Sequence, residues 1–231
     1  MMDYIISMNY LGMMMMTQST KIHTPFSPPI LEGWISTENV DKINKYLDNL
    51  NKDKQKIKDQ DNGPHLAGDI TQETDVHDFL NEDNTLMEEL MGYLKDLIDH
   101  SYVNPPNVKK VNIGQFWSVS QYGGDYNPLH MHSGDVSFVF YTKVPDLTKE
   151  YEKEKHRYIK NKKFQSGDIL FAYGGYTPFS GYQRIFKPEV GKLLMFPAYL
   201  GHAVYPFKDK KQERRSFSGN ISFELFDKNA I

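Results

Sequence analysis

Eight histidines are spread along the 231 residues, and three of them stand where a shared site can be built. His130 and His132 lie in the run Tyr126-Asn127-Pro128-Leu129-His130-Met131-His132-Ser133-Gly134-Asp135, immediately before a strand-like stretch. Residues two apart on an extended segment project from one face, so the two imidazoles can converge on a single ion. His202 follows Phe196-Pro197-Ala198-Tyr199-Leu200-Gly201 and stands 70 residues beyond His132. In a barrel that separation in sequence is compatible with closeness in space. The chain has no cysteine, so thiolate ligation, disulfides and a Cys nucleophile are excluded, and a metal would fall to His, Asp or Glu. An HxH pair by itself is more often a surface pair. His23, His65, His77, His100 and His156 are assigned that plain role.

The segment Arg214 to Leu225 supplies a second group. Arg214, Ser216, Ser218, Asn220 and Ser222 share one face of an alternating strand, and Phe217, Ile221, Phe223 and Leu225 share the other. A guanidinium beside a hydroxyl can grip a carboxylate, the planar fork of Arg matching it in bidentate fashion. Taken alone, such a face would simply look at solvent. The small residues beyond the arginine, however, suit a wall that lines a cavity.

Two helices and a series of short strands would have to position these groups. Thr37 is a candidate N-cap for a helix carrying Val40, Ile43, Leu47 and Leu50 at helical spacing, followed by a polar tail, Asn51 to Asn62, expected as an exposed linker closed by Gly63-Pro64. Leu86, Leu90, Tyr93, Leu94 and Leu97 form the stripe of a second helix, stopped by Asn104-Pro105-Pro106. From residue 107 the texture changes. Val111, Ile113, Trp117 and Val119 alternate with Asn112, Gly114, Ser118 and Ser120, the pattern breaking at Gln115 and Phe116. Ser137–Tyr141, Ile169–Ala172 and Lys192–Phe196 are further strand-like runs bounded by Gly, Pro or Asp. Helices followed by many strands predict an α+β, mainly β fold, with the helices buttressing one face of an antiparallel sheet pair.

The length suits one domain spanning residues 1–231, with helical support over 37–104 and a barrel core over about 107–225. Aromatics reach 13%, in keeping with half-buried strand surfaces. Net charge is −3 with pI near 6.2, which gives no basic field pointing to nucleic acid or an anionic membrane. Met1 to Met16 is apolar but lacks a basic leader region, carries Asp3, and is too short and interrupted to span a bilayer; it is expected to dock on the core as a strand or short helix. A cytoplasmic location is the default expectation, the host cytoplasm if the chain is phage-encoded.

In order, His130-x-His132, Ser137-Phe138-Val139-Phe140-Tyr141 leading to Val144-Pro145, Leu194-Met195-Phe196-Pro197-Ala198-x-x-x-His202, and Glu213-Arg214-Arg215-Ser216-x-Ser218-x-Asn220 resemble a family of 2-oxoglutarate/Fe(II) oxygenases found in bacteria and tailed phages. The likeness covers about residues 107–225. It implies a double-stranded β-helix (jelly-roll, cupin-like) barrel whose mouth holds Fe(II), with His130 and His202 as ligands. Arg214 and Ser216 would bind the distal carboxylate of 2-oxoglutarate, with Tyr141 and Ser137 as further cofactor-pocket residues. The implied reaction consumes O2, hydroxylates a protein side chain or a small molecule, and releases succinate and CO2. The wider superfamily has a carboxylate where this chain has His132, so either His132 completes a neutral three-histidine set or Asp135 swings in from the next turn. A cupin-like metal enzyme without 2-oxoglutarate and a silent jelly-roll binding module are the competing readings. The stretches Asp146 to Gln165 and Tyr173 to Phe186, holding Tyr173, Tyr176, Phe179 and Tyr182, are expected as lid loops with Gly174-Gly175 as a hinge.

Overall fold

Ser36, one residue before the expected Thr37, caps the first helix, its hydroxyl accepting from the Asn39 amide. The computed structural model describes residues 20–23, 28–101, 108–155, 166–175 and 181–225. The Met-rich N-terminal stretch, the Asn104-Pro105-Pro106 stop, His156, Tyr176 and Phe179 lie outside them.

Helix α1 (Thr37–Leu50) buries Val40, Ile43, Leu47 and Leu50, as its spacing predicts. The polar tail is not a linker throughout. Asp53 caps a short helix, α2 (Lys54–Asp59), which buries none of its residues, and a 3-10 turn follows at Gly63–His65. After α3 (His77–Glu82), helix α4 (Asn84–Ser101) buries the expected stripe together with Met87, Met91 and Ile98. Glu89 of α4 fastens the start of α1, accepting from the Ser36 amide at 2.8 Å and from Asn39 Nδ2 at 2.7 Å.

Among the described residues, eleven strands form two antiparallel sheets. The first runs in the order β1 (Lys21–His23), β2 (Ile30–Trp34), β9 (Lys192–Pro197), β6 (Val136–Lys143), β11 (Arg214–Leu225), β4 (Val108–Gln121) and β3 (Gln72–Asp75). The second runs β5 (Asn127–His130), β10 (Gly201–Val204), β7 (Ile169–Ala172) and β8 (Gln183–Phe186). From β4 to β11 the chain visits the sheets in the order first, second, first, second, second, first, second, first. That alternation winds the eight strands into a double-stranded β-helix. The expected lid stretches are partly regular: α5 (Thr148–Lys155) occupies part of one, and β8 takes the end of the other. The β8 backbone pairs with β7 from Ile169↔Phe186 to Ala172↔Gln183, a long-range pairing that a short polar run does not announce.

The two faces of the first sheet bury different cores. On its outer face, α1 and α4 pack against Phe116, Phe138, Phe140, Phe217 and Ile221. At Gly33 a Cβ would stand 2.6 Å from Tyr93 Cε1, so only glycine lets α4 approach β2 this closely. The Tyr93 hydroxyl, in turn, donates to Trp34 O at 2.5 Å. Between the sheets lies a second core with Val139, Tyr141, Phe171, Leu194 and Phe196. The break in the β4 pattern is a bulge: Asn220 pairs with Gln115 but Ile221 pairs with Ile113, leaving Gly114 over. Val111 and Ile113 therefore share the outer core with Phe116, whereas Trp117, Val119 and Gln121 line the barrel interior. The break expected at Gln115 and Phe116 thus divides Val111 and Ile113 from Trp117 and Val119, which the alternation alone would put on one face. Among the described residues, no helix is long and apolar enough to cross a membrane.

Candidate metal centre and anion pocket

His130 and His202 are direct partners across β5 and β10. His132 lies just past β5, its amide donating to Ala198 O at 3.0 Å. The chain then turns at Gly134, whose φ of +100° and close approach to Ile221 O suit glycine. The ligand atoms of the three histidines all lie within 4.8 Å of one another. The ring centroids are 4.3 Å apart for His130 and His202, 4.9 Å for His130 and His132, and 5.1 Å for His132 and His202.

Two of the rings are held from behind. His130 Nδ1 meets Pro128 O at 2.7 Å and His202 Nδ1 meets Leu200 O at 2.9 Å. A carbonyl can only accept, so each Nδ1 carries the proton and each Nε2 keeps its lone pair, the arrangement a metal ligand needs. Burial, then the neighbouring His130, drives His132 down to about 4 and His202 down to about 3. Both rings are therefore neutral at physiological pH and available as donors. Trp117 stands edge-on to His132 at 5.7 Å, and Phe196 packs against His202 at 5.0 Å. Asp135 is outside the cluster. Its carboxylate accepts from the Phe223 amide at 2.7 Å, behind the turn.

From the histidines a cavity of ≈ 570 Å³, its open mouth included, runs between the sheets to Arg214. Arg214 is 2% exposed. Its Nη1 donates to Gly167 O at 2.5 Å and its Nη2 to Gln121 Oε1, while Nε has no partner among the described residues. The Tyr141 ring lies 5.7 Å from the guanidinium carbon, and the Tyr141 hydroxyl is likewise buried with no partner among the described residues. Burial pushes that phenol up to about 12, so it remains a donor. Two orphaned donors at the closed end of a cavity are costly unless an acceptor joins them. A carboxylate fits that place. Ser216, on the Arg214 face, lines the same cavity. Ser137 lines it too, but its hydroxyl donates to Asn220 Oδ1 at 2.8 Å.

Seven of the eight site residues singled out in the sequence thus reach one cavity, Asp135 being the exception: three histidines at one place, and Arg214, Ser216, Tyr141 and Ser137 along the wall. Over residues 115–220 the chain matches the model of a family described as "Putative 2OG-Fe(II) oxygenase". The barrel matches the 2-oxoglutarate/Fe(II) oxygenase family. Among solved structures it is similar to a Pseudomonas putida prolyl-4-hydroxylase, at 14% identity and a TM-score of 0.49, covering 90% of this chain and 92% of that one. A viral collagen prolyl hydroxylase from Paramecium Bursaria Chlorella virus-1 gives 12% and 0.46, covering 88% and 96%. A 2OG-Fe(II) oxygenase family oxidoreductase from Burkholderia pseudomallei gives 12% and 0.39 over 63% of this chain, which spans only 55% of that protein. No curated protein matches the chain.

Two residues of the barrel interior, Gln121 and Glu73, are not singled out by the sequence. Gln121 follows Trp117 and Val119 at period two, and the bulge at Gly114 hid that series. Glu73 lies on β3, in a stretch whose sequence gave no strand signal. It lines the cavity at 6% exposure.

Proposed function

We propose that this protein is an Fe(II)- and 2-oxoglutarate-dependent dioxygenase that hydroxylates a protein side chain or a small molecule. One domain would carry the whole site. The observation that supports this most directly is the buried Arg214, with an unpartnered Nε beside the unpartnered Tyr141 hydroxyl, in the cavity that the three histidines share.

His130, His132 and His202 would hold the metal through Nε2 or, for His132, whichever ring nitrogen its setting frees. Arg214, Tyr141 and Ser216 would bind the distal carboxylate of 2-oxoglutarate. When bound, the metal and 2-oxoglutarate supply oxidative decarboxylation to succinate and CO2 coupled to oxygen insertion into a C–H bond. The chain's part is placement. The Pro128 and Leu200 carbonyls fix two imidazole tautomers, the Gln121 amide and Gly167 carbonyl aim the guanidinium, and the aromatic wall limits water at the histidines. Asp135, engaged with the Phe223 amide, would stay out of the ligand set unless that bond broke.

The all-imidazole set also suits a cupin-like metal enzyme that uses no 2-oxoglutarate. Arg214 weighs against it, since such an enzyme has no need of a buried cation left open to the cavity. The test is succinate formation from 2-oxoglutarate with Fe(II), ascorbate and O2, which proceeds slowly without the true substrate. The parent should form succinate, with His202→Ala and Arg214→Ala at background. Equal rates in all three proteins would overturn the proposal.

A further inference from the structure

Glu73 is a cavity residue that the cofactor reading leaves unused. Its carboxyl is 6% exposed and bonded to no donor among the described residues, and the charge that acts on it is another acid, Asp61. In the sheet register Glu73 pairs with Val119, Val119 with Ser216, and Ser216 with Tyr141. Directly paired residues share a face, so this row crosses the inner wall from the carboxyl to the proposed cofactor end. Two strand spacings, about 9–10 Å, separate Glu73 from Ser216. That leaves room for a second ligand beside the first.

The surroundings favour a particular chemistry. Val119, the direct partner of Glu73, and Leu66 and Ala67 are apolar residues that line the same cavity. Asn127 holds the 66–67 segment by donating to Ala67 O at 2.6 Å. Trp117, one pleat along from Val119, reaches from this end towards His132. A carboxyl in an apolar wall without a cation of its own, next to an indole, matches a ligand that brings the cation.

We propose that Glu73 forms the substrate subsite and takes a protonated amine or guanidine, leaving the carbon chain of that substrate to pass Trp117 towards the histidines. This rests on the cavity being the substrate site of the oxygenase proposed above. Burial, then Asp61, lifts the Glu73 carboxyl to about 7, as expected of an acid waiting for a counter-charge.

The experiment compares n-pentylamine, n-pentylguanidine, 1-pentanol and pentanoate as probes of the full-length chain, with Mn(II) and 2-oxoglutarate added, by tryptophan fluorescence. The two cations should half-saturate at concentrations about tenfold or more below that of 1-pentanol, with pentanoate weakest. In Glu73→Gln, a substitution of the same shape, the cations should lose that advantage. Equal binding of amine and alcohol by the parent, an amine preference that survives Glu73→Gln, or no binding of any probe would each overturn the proposal. Parent succinate formation is followed separately. An amine preference without turnover would sink the oxygenase reading and leave the cation subsite standing, whereas turnover without the preference would do the reverse.

Discussion

Arg214 and Arg215 are consecutive residues of one strand, equally buried at 2% and 3% exposure, and they face opposite ways into different chemistry. On the helix side, Arg215 is closed by the chain itself. Its Nε donates to Glu213 Oε1 at 2.8 Å, Nη2 to Glu213 Oε2 at 3.2 Å, and Nη1 to Asp48 Oδ1 at 2.7 Å and Asn44 Oδ1 at 3.1 Å. Burial would raise the Glu213 carboxyl, yet the bonds from Arg215 and Ser120 hold it below its ordinary value. On the barrel side, Arg214 donates to the neutral acceptors Gly167 O and Gln121 Oε1, feels the buried Asp168 carboxylate as a nearby charge, and keeps Nε unpartnered among the described residues. A buried cation whose donors are all taken up by the chain's own acceptors ties α1 to the sheet; one that keeps a donor over, with Asp168 acting on it as a nearby charge, is poised for a ligand.

The comparison breaks first if the two arginines fail to separate function from stability. Arg214→Met should weaken 2-oxoglutarate binding by about a hundredfold or more, the loss of two charge-assisted bonds. Its melting temperature should fall by less than that of Arg215→Met, because the desolvation cost of an incompletely bonded cation is removed while the buried Asp168 carboxylate loses its attraction. Arg215→Met should reverse the balance. It strands Glu213 and Asp48 and should cost about 3 kcal/mol in denaturant unfolding, the low end of the usual range because Asp48 is half-exposed. Its folded fraction should still bind 2-oxoglutarate as the parent does. A cofactor defect in Arg215→Met larger than that in Arg214→Met would dissolve the distinction between the faces.

How far the sequence announced this division depends on the element. Strand β11 was legible because period two sorts Arg214, Ser216 and Ser218 from Phe217 and Ile221 without any knowledge of partners. The histidines were legible by type and spacing, since two of them must share a strand face. Strand β4 was misread because a single bulged residue, Gly114, moves every later side chain to the other face. Glu73 and β8 were not legible at all. Glu73 is placed by pairing with Val119, far along the chain, and β8 by pairing back onto β7 across a loop; neither has an apolar alternation of its own. The same holds for Arg215, whose partners on α1 are 167 and 171 residues away.

Acid should dismantle the two faces in sequence. In the metal-free protein, His132 and His202 titrate at about 4 and about 3 when folded, against about 6.5 when unfolded. As pH falls below about 6.5 the unfolded chain takes up protons that the folded chain refuses, so stability drops between roughly pH 7 and pH 4. By pH 5 each imidazole should account for about 2 kcal/mol. Glu213 and Asp48, both held below their ordinary values, contribute stability that is present above the usual carboxylate range and is lost only as pH falls through their lowered values. Unfolding of the parent and of His132→Gln/His202→Gln between pH 7 and pH 5 separates the steps. A parent that loses no more than the double variant would refute the order.

The smallest effect tests the charge that the three-histidine cluster lacks. The outer face gives its cation two carboxylates, whereas the metal centre offers three imidazoles and no anion, with Asp135 engaged elsewhere. His132→Asp puts a carboxylate where the wider superfamily has one, and the anchoring amide bond to Ala198 O is a backbone contact that survives the change. The added negative charge should offset part of the ferrous charge and tighten Fe(II) binding about tenfold in anaerobic equilibrium dialysis. His202→Asp provides the contrast. It places the same charge 5% exposed among Phe171 and Phe196, where desolvation opposes ionisation, and should give no gain. If both aspartates weaken the metal alike, the imidazole set is matched to its ion by geometry, and missing charge is not what distinguishes the three-histidine cluster.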